Sequence, residues 1–338
     1  MGHRQSAEGL VIVDHTDAPD WDAWIDAEPG GNFYAAKPWG TYKARLNWTV
    51  RRIAVQDGSG RPLAFVQVQE RCIGPARFVL AQGCPVLTAA GRTRAEAALS
   101  ALRDHLDLGP FDLFGVNFQE FQDNEAMSAL LALGFVPVVS ARQHTLELDL
   151  TRPIATIEAE LDPKWRRKLA KARRNADLET RILTGAQERL RAFDVFTEMY
   201  AALRSRKGFS NTFDPQAFRD IAATDPRLVI LEVRENGSPI MVRIAHRAAA
   251  RWTDFFAASN ERGRATNAAA LSVWSSIERA KDEGCPIYDL GGIDPAGDRG
   301  VFDFKRGISR RVVQSTPLWL YGRSRLVRSL AAAFLAQR

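Results

Sequence analysis

The chain carries one hairpin pattern twice, and this internal repeat constrains the fold more than any other feature of the sequence. Residues 51–71 and residues 227–247 both alternate apolar and polar side chains on either side of a short turn rich in Gly, Ser, Asp or Asn. Pro62 and Pro239 hold equivalent places in the two segments and lie 177 residues apart. The pattern therefore predicts two copies of one β-hairpin.

The correspondence continues downstream at the same offset. In residues 92–115, and again in residues 266–291, a helical pattern leads into a short apolar strand. The two strands contain Asp112 and Asp289, which are also 177 residues apart. Two agreements at one offset indicate a duplicated α/β domain, and chance similarity between unrelated hairpins is the alternative.

The repeat predicts a fold class and a set of boundaries. Each half has the pattern of helices packed on a mostly antiparallel, mixed sheet, which is the α+β type of α/β architecture. A length of 338 residues suits two such domains. We predict a first domain at residues 1–152, a basic helical connector at 153–178 that breaks at Pro163, a second domain at 179–321 and a C-terminal helix at 322–338.

The predicted C-terminal helix has an apolar face. Leu326, Leu330 and Phe334 recur there at helical spacing. We expect this face to pack on the body of the protein. The alternative is a basic amphipathic surface helix that contacts a membrane.

Composition narrows the class of protein. A hydrophobic content of 46% with 25% charged residues is that of a globular chain, and a net charge of +6 favours an anionic partner only weakly. No apolar run is long enough for a signal peptide or a membrane span. The three cysteines (Cys72, Cys84 and Cys285) are odd in number and lack metal-binding spacing. We therefore expect a cytoplasmic protein, which we take to be a monomer.

Motifs for several common chemistries are missing from the sequence. It has no GxxxxGK[ST] phosphate loop, no GxGxxG after a strand and no GxSxG serine elbow. The five histidines show no spacing typical of metal ligands. A metal site therefore has little support from the sequence.

One partial match concerns phosphate binding. Acyl-CoA N-acyltransferases of the GNAT type carry [Q/R]xxGx[G/A] between a strand and a helix, where backbone amides grip a pyrophosphate. Residues 260–265 (NERGRA) have this placement, and Gly263 and Ala265 fit the pattern, but Asn260 departs from it at the first position. The first half has no such match.

The most unusual segment is residues 287–309 (IYDLGGIDPAGDRGVFDFKRGIS). A strand-like run ends at Gly291 and Gly292, and Phe304 and Lys305 follow shortly afterwards. If Lys305 faces a cleft, its ammonium would neutralise a diphosphate or the oxyanion of acyl transfer. The alternative is a surface lysine on a long turn.

These features together resemble the FemABX family of peptidoglycan bridge-forming aminoacyltransferases over essentially the whole chain. The segment YDLGGID with FDFKRGIS looks like that family's signature, and it is the most specific of the similar segments. The other similar segments are FYAAKPWGTYK (33–43), with Ala36 where the family has serine, HTLELDLTRP (144–153) with KWRRKLAKARRNAD (164–177), and RSRKGFS (204–210).

The resemblance implies two tandem GNAT-like domains without zinc, CoA or a nucleotide cofactor. It also implies transfer of an aminoacyl group from aminoacyl-tRNA to the stem-peptide amine of a peptidoglycan precursor. Because aminolysis depends mainly on alignment and positive charge, Lys305 is the first candidate. Asp289 and Asp303 are candidate proton acceptors, although Asp289 could equally hold the turn beside its glycines.

Further site residues follow from the resemblance. The predicted substrate-binding residues are Lys43, Trp39, Arg206, Lys207, Phe256, Gly291, Gly292 and Phe304. The predicted tRNA-binding residues, on the basic helix, are Arg166, Arg167, Lys168, Lys171 and Arg174. A solvated connector helix whose cations pair with surface acids is the alternative for that helix.

The chain departs from compact family members in two places. Asn211, Thr212 and Phe213 replace an additional Arg or Tyr, and Phe256 replaces a tyrosine. These changes bear on the acceptor more than on the fold. Two other functions stay open from the sequence: an acyl-CoA-dependent N-acyltransferase, and a non-catalytic protein that binds RNA or a membrane surface.

Overall fold

The structure, a computed structural model, describes residues 9–118, 124–139, 144–207, 213–248 and 250–337. The chain divides into two units. One unit contains the chain up to residue 143 together with everything from residue 314 onwards, and the other contains residues 144–313.

Strands form the centre of both units. They are β1 (Val11–Asp14), β2 (Thr49–Gln56), β3 (Pro62–Ile73), β4 (Ala76–Gln82), β5 (Val86–Leu87), β6 (Leu113–Asn117), β7 (Val136–Val138), β8 (His144–Asp149), β9 (Leu178–Leu183), β10 (Leu228–Glu235), β11 (Ser238–Arg247), β12 (Trp252–Ser259), β13 (Ile287–Gly292), β14 (Arg311–Gln314) and β15 (Leu318–Tyr321).

Helices connect and cover these strands. They are α1 (Trp21–Ala27), α2 (Lys37–Arg45), α3 (Ala89–Arg92), α4 (Ala95–His105), α5 (Asn124–Ala132), α6 (Ile154–Glu160), α7 (Pro163–Arg174), α8 (Ala186–Lys207), α9 (Pro215–Thr224), α10 (Glu261–Ala265), α11 (Ala268–Asp282), α12 (Arg299–Arg306) and α13 (Arg325–Ala336), with a 3-10 turn at Phe33–Ala35.

The first unit is a mixed sheet with helices packed on it. Its strands lie in the order β1–β2–β3–β4–β6–β15–β7, and β5 pairs with β3. The core combines Trp21 of α1, Phe65 of β3, Leu99 of α4 and Phe114 of β6, all at most 6% exposed. Helix α4 buries one apolar face, as an amphipathic surface helix does.

The second unit repeats this plan. Its strands lie in the order β14–β8–β13–β12–β11–β10–β9. Helices α7 and α11 share a core with β12 and β13 that includes Trp165, Trp252, Trp274 and Tyr288. Helices α8 and α9 pack on each other, and α8 also contacts β11 and β12.

The duplicated α/β fold predicted from the sequence is confirmed. Hairpins β2–β3 and β10–β11 are both antiparallel, and each continues into another antiparallel strand, β4 or β12. A parallel strand comes next in each sheet, β6 beside β4 and β13 beside β12. Both sheets therefore have the same local strand order and directions.

The two halves of the chain exchange one strand. Strand β15 comes from the end of the chain and inserts between β6 and β7, antiparallel to both. Strand β8 follows β7 along the chain but lies between β13 and β14 of the second sheet. Each unit is therefore completed by a segment of the other half.

This exchange moves the boundaries predicted from the sequence. Strand β8 lies in the second unit rather than in a first domain ending at residue 152, and β15 and α13 lie in the first unit. The predicted connector forms α6 and α7 within the second unit. Pro163 begins α7, where its missing N–H costs no hydrogen bond.

The prediction that the apolar face of the C-terminal helix packs on the body is wrong. Leu326, Leu330 and Phe334 are 69%, 64% and 54% exposed. Helix α13 contacts β7 and β15 through its other side, where Val327 and Leu335 are half-buried. Among the described residues, none of the helices combines the length and apolar character that crossing a membrane requires.

Candidate functional site

Two parallel strands separate in the second sheet. Strands β12 and β13 pair only at Trp252 with Tyr288 and at Thr253 with Asp289, after which β12 continues along β11 as far as Ser259. The equivalent strands of the first sheet, β4 and β6, stay paired over five positions. A gap between parallel strands is therefore a feature of the second sheet and not of the first.

A cleft of about 910 Å³ lies beside the end of β12. Helices α7, α8, α11 and α12 contribute to its walls, and the side chains on these walls are strongly basic. The cationic residues that line it are Lys164, Lys168, Arg206, Arg243, Arg264, Lys305, Arg306 and Arg310, and the acidic ones are Asp162, Asp254 and Asp303. This excess of positive charge suits a polyanionic ligand.

Lys305 lies in the last turn of α12, at the edge of the cleft. Its Nζ donates a hydrogen bond to the backbone oxygen of Gly292 at 2.8 Å, which leaves two N–H donors for a ligand. Burial lowers the pKa of Lys305, and the carboxylates of Asp254 and Asp289 partly oppose that shift. The alternative drawn from the sequence, a surface lysine on a long turn, does not hold, because residues 299–306 form a helix that Asp298 caps.

Close packing against α7 fixes the position of α12. A Cβ on Gly307 would lie 2.8 Å from Trp165 Cδ1, so only glycine allows this approach. The backbone N–H of Asp162 donates to Gly307 O at 2.9 Å, and the rings of Trp165 and Phe304 lie 5.8 Å apart. The lysine is thus presented by a helix end that is held on two sides.

The two glycines after the strand have different roles. Gly291 has φ +75°, and a Cβ there would lie 2.6 Å from the backbone oxygen of Asp254, whereas a Cβ on Gly292 would meet nothing within 4 Å. Gly291 is therefore required by both its conformation and its surroundings. Gly292 contributes its carbonyl oxygen to Lys305.

We expect Gly291→Ala to lower the free energy of unfolding by about 2 kcal/mol or more, since the left-handed conformation alone costs a non-glycine residue about 1–2 kcal/mol. Gly292→Ala is the matched control and should change it by less than about 0.5 kcal/mol. Denaturant unfolding of both variants measures the difference. Equal losses would show that the neighbouring backbone of Asp254 does not restrict the strand end.

Asp289 holds the turn beside the glycines. Its side chain is buried, and Oδ1 accepts hydrogen bonds from Thr145 Oγ1 and from the Gly291 N–H, the latter at 2.8 Å. Burial raises the pKa of Asp289, while these hydrogen bonds oppose the rise. Of the two interpretations drawn from the sequence, these contacts favour the structural one. The other candidate, Asp303, lies on the cleft wall, is 52% exposed and pairs with Arg299.

The remaining predicted residues of the second unit divide into two groups. Phe304 and Arg206 line the cleft. Phe256 lies instead in an aromatic cluster, with its ring stacked on Phe213 at 4.2 Å. The side chain of Lys207 and residues 208–212, which include the departures at Asn211 and Thr212, lie outside the described residues.

The cations of α7 also separate into groups. Trp165, Leu169 and Ala172 face the core, so Lys164, Lys168 and Lys171 share one flank of the helix. Lys164 and Lys168 of this flank line the cleft. The predicted tRNA-binding residues (Arg166, Arg167, Lys168, Lys171 and Arg174) are all exposed.

The arginines of α7 include two with identified partners. Arg166 donates to the backbone oxygen of Ala159 at 2.9 Å. Arg173 pairs with Glu158 and Glu278. The alternative of a helix paired to surface acids therefore describes Arg173, whereas no described acidic residue forms an ion pair with the lysine flank.

Lys43 and Trp39 belong to the first unit. The Nζ of Lys43 lies 5.3 Å from the centre of the Trp39 ring and 4.8 Å from that of Trp48. Burial lowers the pKa of Lys43, and its ammonium makes no ion pair or hydrogen bond with any described residue. Trp39 is fixed by a hydrogen bond from its Nε1 to Gln82 Oε1 at 3.2 Å. The predicted site residues are thus distributed over both units.

Sequence reasoning missed Arg243 and Asp254. Arg243 is 3% exposed, forms an ion pair with Asp254 and donates to Ser272 Oγ at 3.1 Å. Both residues line the cleft. The sequence did show one charged residue inside each of two apolar strands. Because charged residues are rarely buried without a partner, this pattern could have predicted an ion pair.

The partial phosphate-binding match forms a helix cap. The side chain of Asn260 accepts a hydrogen bond from the Gly263 N–H at 2.9 Å, so this amide is already occupied. A Cβ on Gly263 would lie 2.3 Å from Ile240 O, which accounts for the glycine by packing alone. Gly263 and Arg264 nevertheless line the cleft. The described residues contain no cluster of His, Cys, Asp and Glu that could hold a metal.

Comparisons with known proteins agree with this architecture. Residues 163–306 match the family described as an acetyltransferase (GNAT) domain. The crystal structure of FemX superposes with a TM-score of 0.77 at 14% identity, covering 98% of this chain and 100% of that one. L-PGS from Bacillus licheniformis superposes with a TM-score of 0.59 at 13% identity, covering 96% and 98%.

A third solved structure is described as a tandem GNAT protein from the clavulanic acid biosynthesis pathway. It gives a TM-score of 0.51 at 13% identity and covers 93% of this chain and 99% of that one. No curated protein sequence matches the chain. The residues that form the cleft fall almost entirely within the GNAT match. The chain therefore has a fold of two tandem GNAT-like domains, similar to that of FemX, and residues 163–306 of its second unit match a GNAT acetyltransferase domain.

Proposed function

We propose that this protein is an aminoacyltransferase. It moves an amino acid from aminoacyl-tRNA to the stem-peptide amine of a peptidoglycan precursor and forms an amide. The observation that carries the proposal is the basic cleft beside the gap between β12 and β13, with Lys305 at its edge. The fold shared with FemX and the resemblance of residues 287–309 to the FemABX signature support it.

In this proposal the cleft binds the 3′ end of the charged tRNA. The lysine flank of α7 and Arg206 contact phosphates, and the two N–H groups that remain on Lys305 stabilise the oxyanion formed at the ester carbonyl. The acceptor amine forms the N–C bond as the ester C–O bond breaks. The proton that leaves the nitrogen passes to the departing ribose oxygen, directly or through water. Alignment of amine and ester provides much of the acceleration.

The first unit is proposed to bind the precursor. Lys43 has no acidic partner among the described residues and lies against the rings of Trp39 and Trp48, so its charge is available to a phosphate. The precursor is a UDP-linked or lipid-linked muramyl pentapeptide in this proposal. We place the reaction in the cytoplasm, where charged tRNA is found.

A donor comparison tests the proposal. The protein is incubated with a muramyl pentapeptide precursor and either a mixture of charged tRNAs or labelled acyl-CoAs. We expect amide product from charged tRNA only. Product from acyl-CoA alone would overturn the proposal in favour of the second candidate. Salt-dependent RNA binding without product from either donor would favour an RNA-binding protein.

The second candidate is an acyl-CoA-dependent N-acyltransferase. The GNAT domain match and the placement of Gly263 and Arg264 on the cleft wall support it. The Gly263 N–H already donates to Asn260 Oδ1, which disfavours this candidate because binding a pyrophosphate requires free backbone N–H groups.

The lysine flank of α7 gives a separate prediction. Replacing Lys168 and Lys171 together with alanine should weaken tRNA binding and reduce the slope of log K against log salt by about 1–2, since each phosphate contact contributes about 0.7–0.9. Binding titrations at several salt concentrations measure the slope. Arg173→Ala is the matched control, because that cation already pairs with Glu158 and Glu278. A slope that falls equally in both variants would contradict the assignment.

A further inference from the structure

One acidic group in the basic cleft has an oxygen without a partner. The side chain of Asp254 is 10% exposed and lines the cleft. Its Oδ2 pairs with Arg243, but its buried Oδ1 has no hydrogen-bond partner among the residues that the structure describes. A buried carboxylate oxygen without a partner is costly, and a hydrogen-bond donor on a ligand would remove that cost.

The other two acids of the cleft are already engaged. Asp162 caps α7 by accepting from the Lys164 N–H at 2.9 Å. Asp303 is 52% exposed and pairs with Arg299. Lys305 does not supply the missing partner either, because its Nζ donates to Gly292 O and forms no hydrogen bond with Asp254 Oδ1. Asp254 therefore offers the one buried and unpartnered carboxylate oxygen among the described cleft residues.

The surroundings hold this carboxylate in place. Arg243 is itself fixed by a hydrogen bond from its Nε to Ser272 Oγ at 3.1 Å, and it holds the Oδ2 atom. The Asp254 backbone lies against Gly291, where no side chain could be accommodated. The geometry is therefore that of a preorganised acceptor for a hydrogen-bond donor.

The charge pattern of the cleft is bipolar. Eight cationic side chains line it, whereas among the described cleft residues one buried carboxylate oxygen, Asp254 Oδ1, lacks a hydrogen-bond partner. The matching ligand is a polyanion that carries one cationic group near its reactive end. An RNA 3′-aminoacyl ester has this polarity because its α-ammonium lies next to the ester carbonyl. An acyl-CoA with a plain acyl group is anionic but lacks the cation.

We propose that Asp254 Oδ1 accepts a hydrogen bond from the α-ammonium of the donor substrate, so that the cleft selects aminoacyl groups over N-blocked or simple acyl groups. This inference rests on the proposed function for its donor class. The inference attributes the selection of aminoacyl over N-blocked acyl groups to one atom of the second unit, Asp254 Oδ1.

The test measures binding rather than turnover. The probes are an RNA minihelix with a 3′-amide-linked glycyl group, which is the smallest aminoacyl group, its N-acetylated form, and the same RNA without an aminoacyl group. We expect the wild-type protein to bind the free-amine form about tenfold or more tightly than the N-acetyl form, as a charge-assisted hydrogen bond allows. Asp254→Asn should remove that preference and keep affinity for the unacylated RNA.

The matched control is Asp282→Asn, at an exposed position at the end of α11 away from the cleft lining. It should retain the wild-type preference. Retained binding of unacylated RNA by Asp254→Asn, together with a native unfolding transition, shows that the variant folds. If Asp254→Asn does not fold, Asp254→Glu takes its place. The longer side chain moves the carboxylate, so this variant should prefer the free-amine form over the N-acetyl form less strongly than the wild-type protein does.

Failure of the inference and failure of the proposed function give different results. Wild-type protein that transfers from charged tRNA but binds both blocked and free forms equally would overturn the inference alone. A preference that survives in Asp254→Asn would also overturn it, because another group would then be the acceptor. Wild-type protein that neither binds the RNA nor uses charged tRNA would overturn both.

Discussion

Replacement of Lys305 with methionine is expected to lower the rate of amide formation by about 10²–10³-fold, the usual effect of removing one oxyanion donor. Methionine keeps most of the apolar stem but has no N–H group. The Gly292 carbonyl loses its donor, yet it lies at an exposed position and can be solvated. Transfer kinetics with charged tRNA and the free energy of unfolding should both be measured.

Lys281→Met is the matched control for this variant. Lys281 also donates its Nζ to a backbone oxygen, that of Leu150, at 2.8 Å, but it does not line the cleft. Its replacement should leave the rate of transfer unchanged. A wild-type rate of transfer in Lys305→Met would show that Lys305 has no role in the reaction.

The pH dependence of transfer offers a second measurement on the same residue. Because burial lowers the pKa of Lys305, its ammonium loses its proton at a lower pH than an exposed lysine does. We therefore expect the wild-type rate to fall as pH rises through that lowered pKa. Lys305→Arg should shift the fall to higher pH, because a guanidinium stays charged.

Deleting residues 314–338 is expected to unfold the first unit, although the deletion lies at the far end of the sequence. Strand β15 separates β6 from β7, and its Trp319 and Leu320 are 5% and 0% exposed. Losing two such buried side chains costs roughly 5–10 kcal/mol, comparable with the whole stability of a domain. Hydrogen exchange of residues 9–118 measures the outcome.

A shorter deletion is the control. Removing residues 323–338 takes away α13 and leaves β15 in the sheet. Because much of α13 is exposed, this variant should keep a protected first sheet. Loss of protection in both variants would mean that the helix, and not the strand, completes the unit.

The repeated hairpins could be predicted because their information is local. Turn residues and alternating side chains identify β2–β3 and β10–β11, and the offset of 177 residues relates the two copies. The exchange of β8 and β15 could not be predicted in the same way. Both are short apolar strands, and their neighbours are chosen by pairing between segments far apart in the chain.

The candidate site also has a part that local sequence shows and a part that depends on distant segments. Lys305 and Phe304 were identified from a short motif, and the structure places both on the cleft wall. Arg243 and Asp254 belong to two neighbouring strands. Their ion pair could not be predicted without knowing that the sheet places the two side chains together. Asp289 was ambiguous in the sequence, because its hydrogen bond with Thr145 spans 144 residues.

The exchanged strand also sets an order of events during synthesis. Asn117, at the end of β6, donates a hydrogen bond to Thr316 O, 199 residues further along the chain. At roughly 5–20 residues per second on the ribosome, β6 waits on the order of 10–40 seconds for its neighbour. All strands of the second sheet have been made by residue 314. The strands of the sheet beside the cleft are therefore all made before the last strand of the N-terminal unit, whose sheet is the second to be complete.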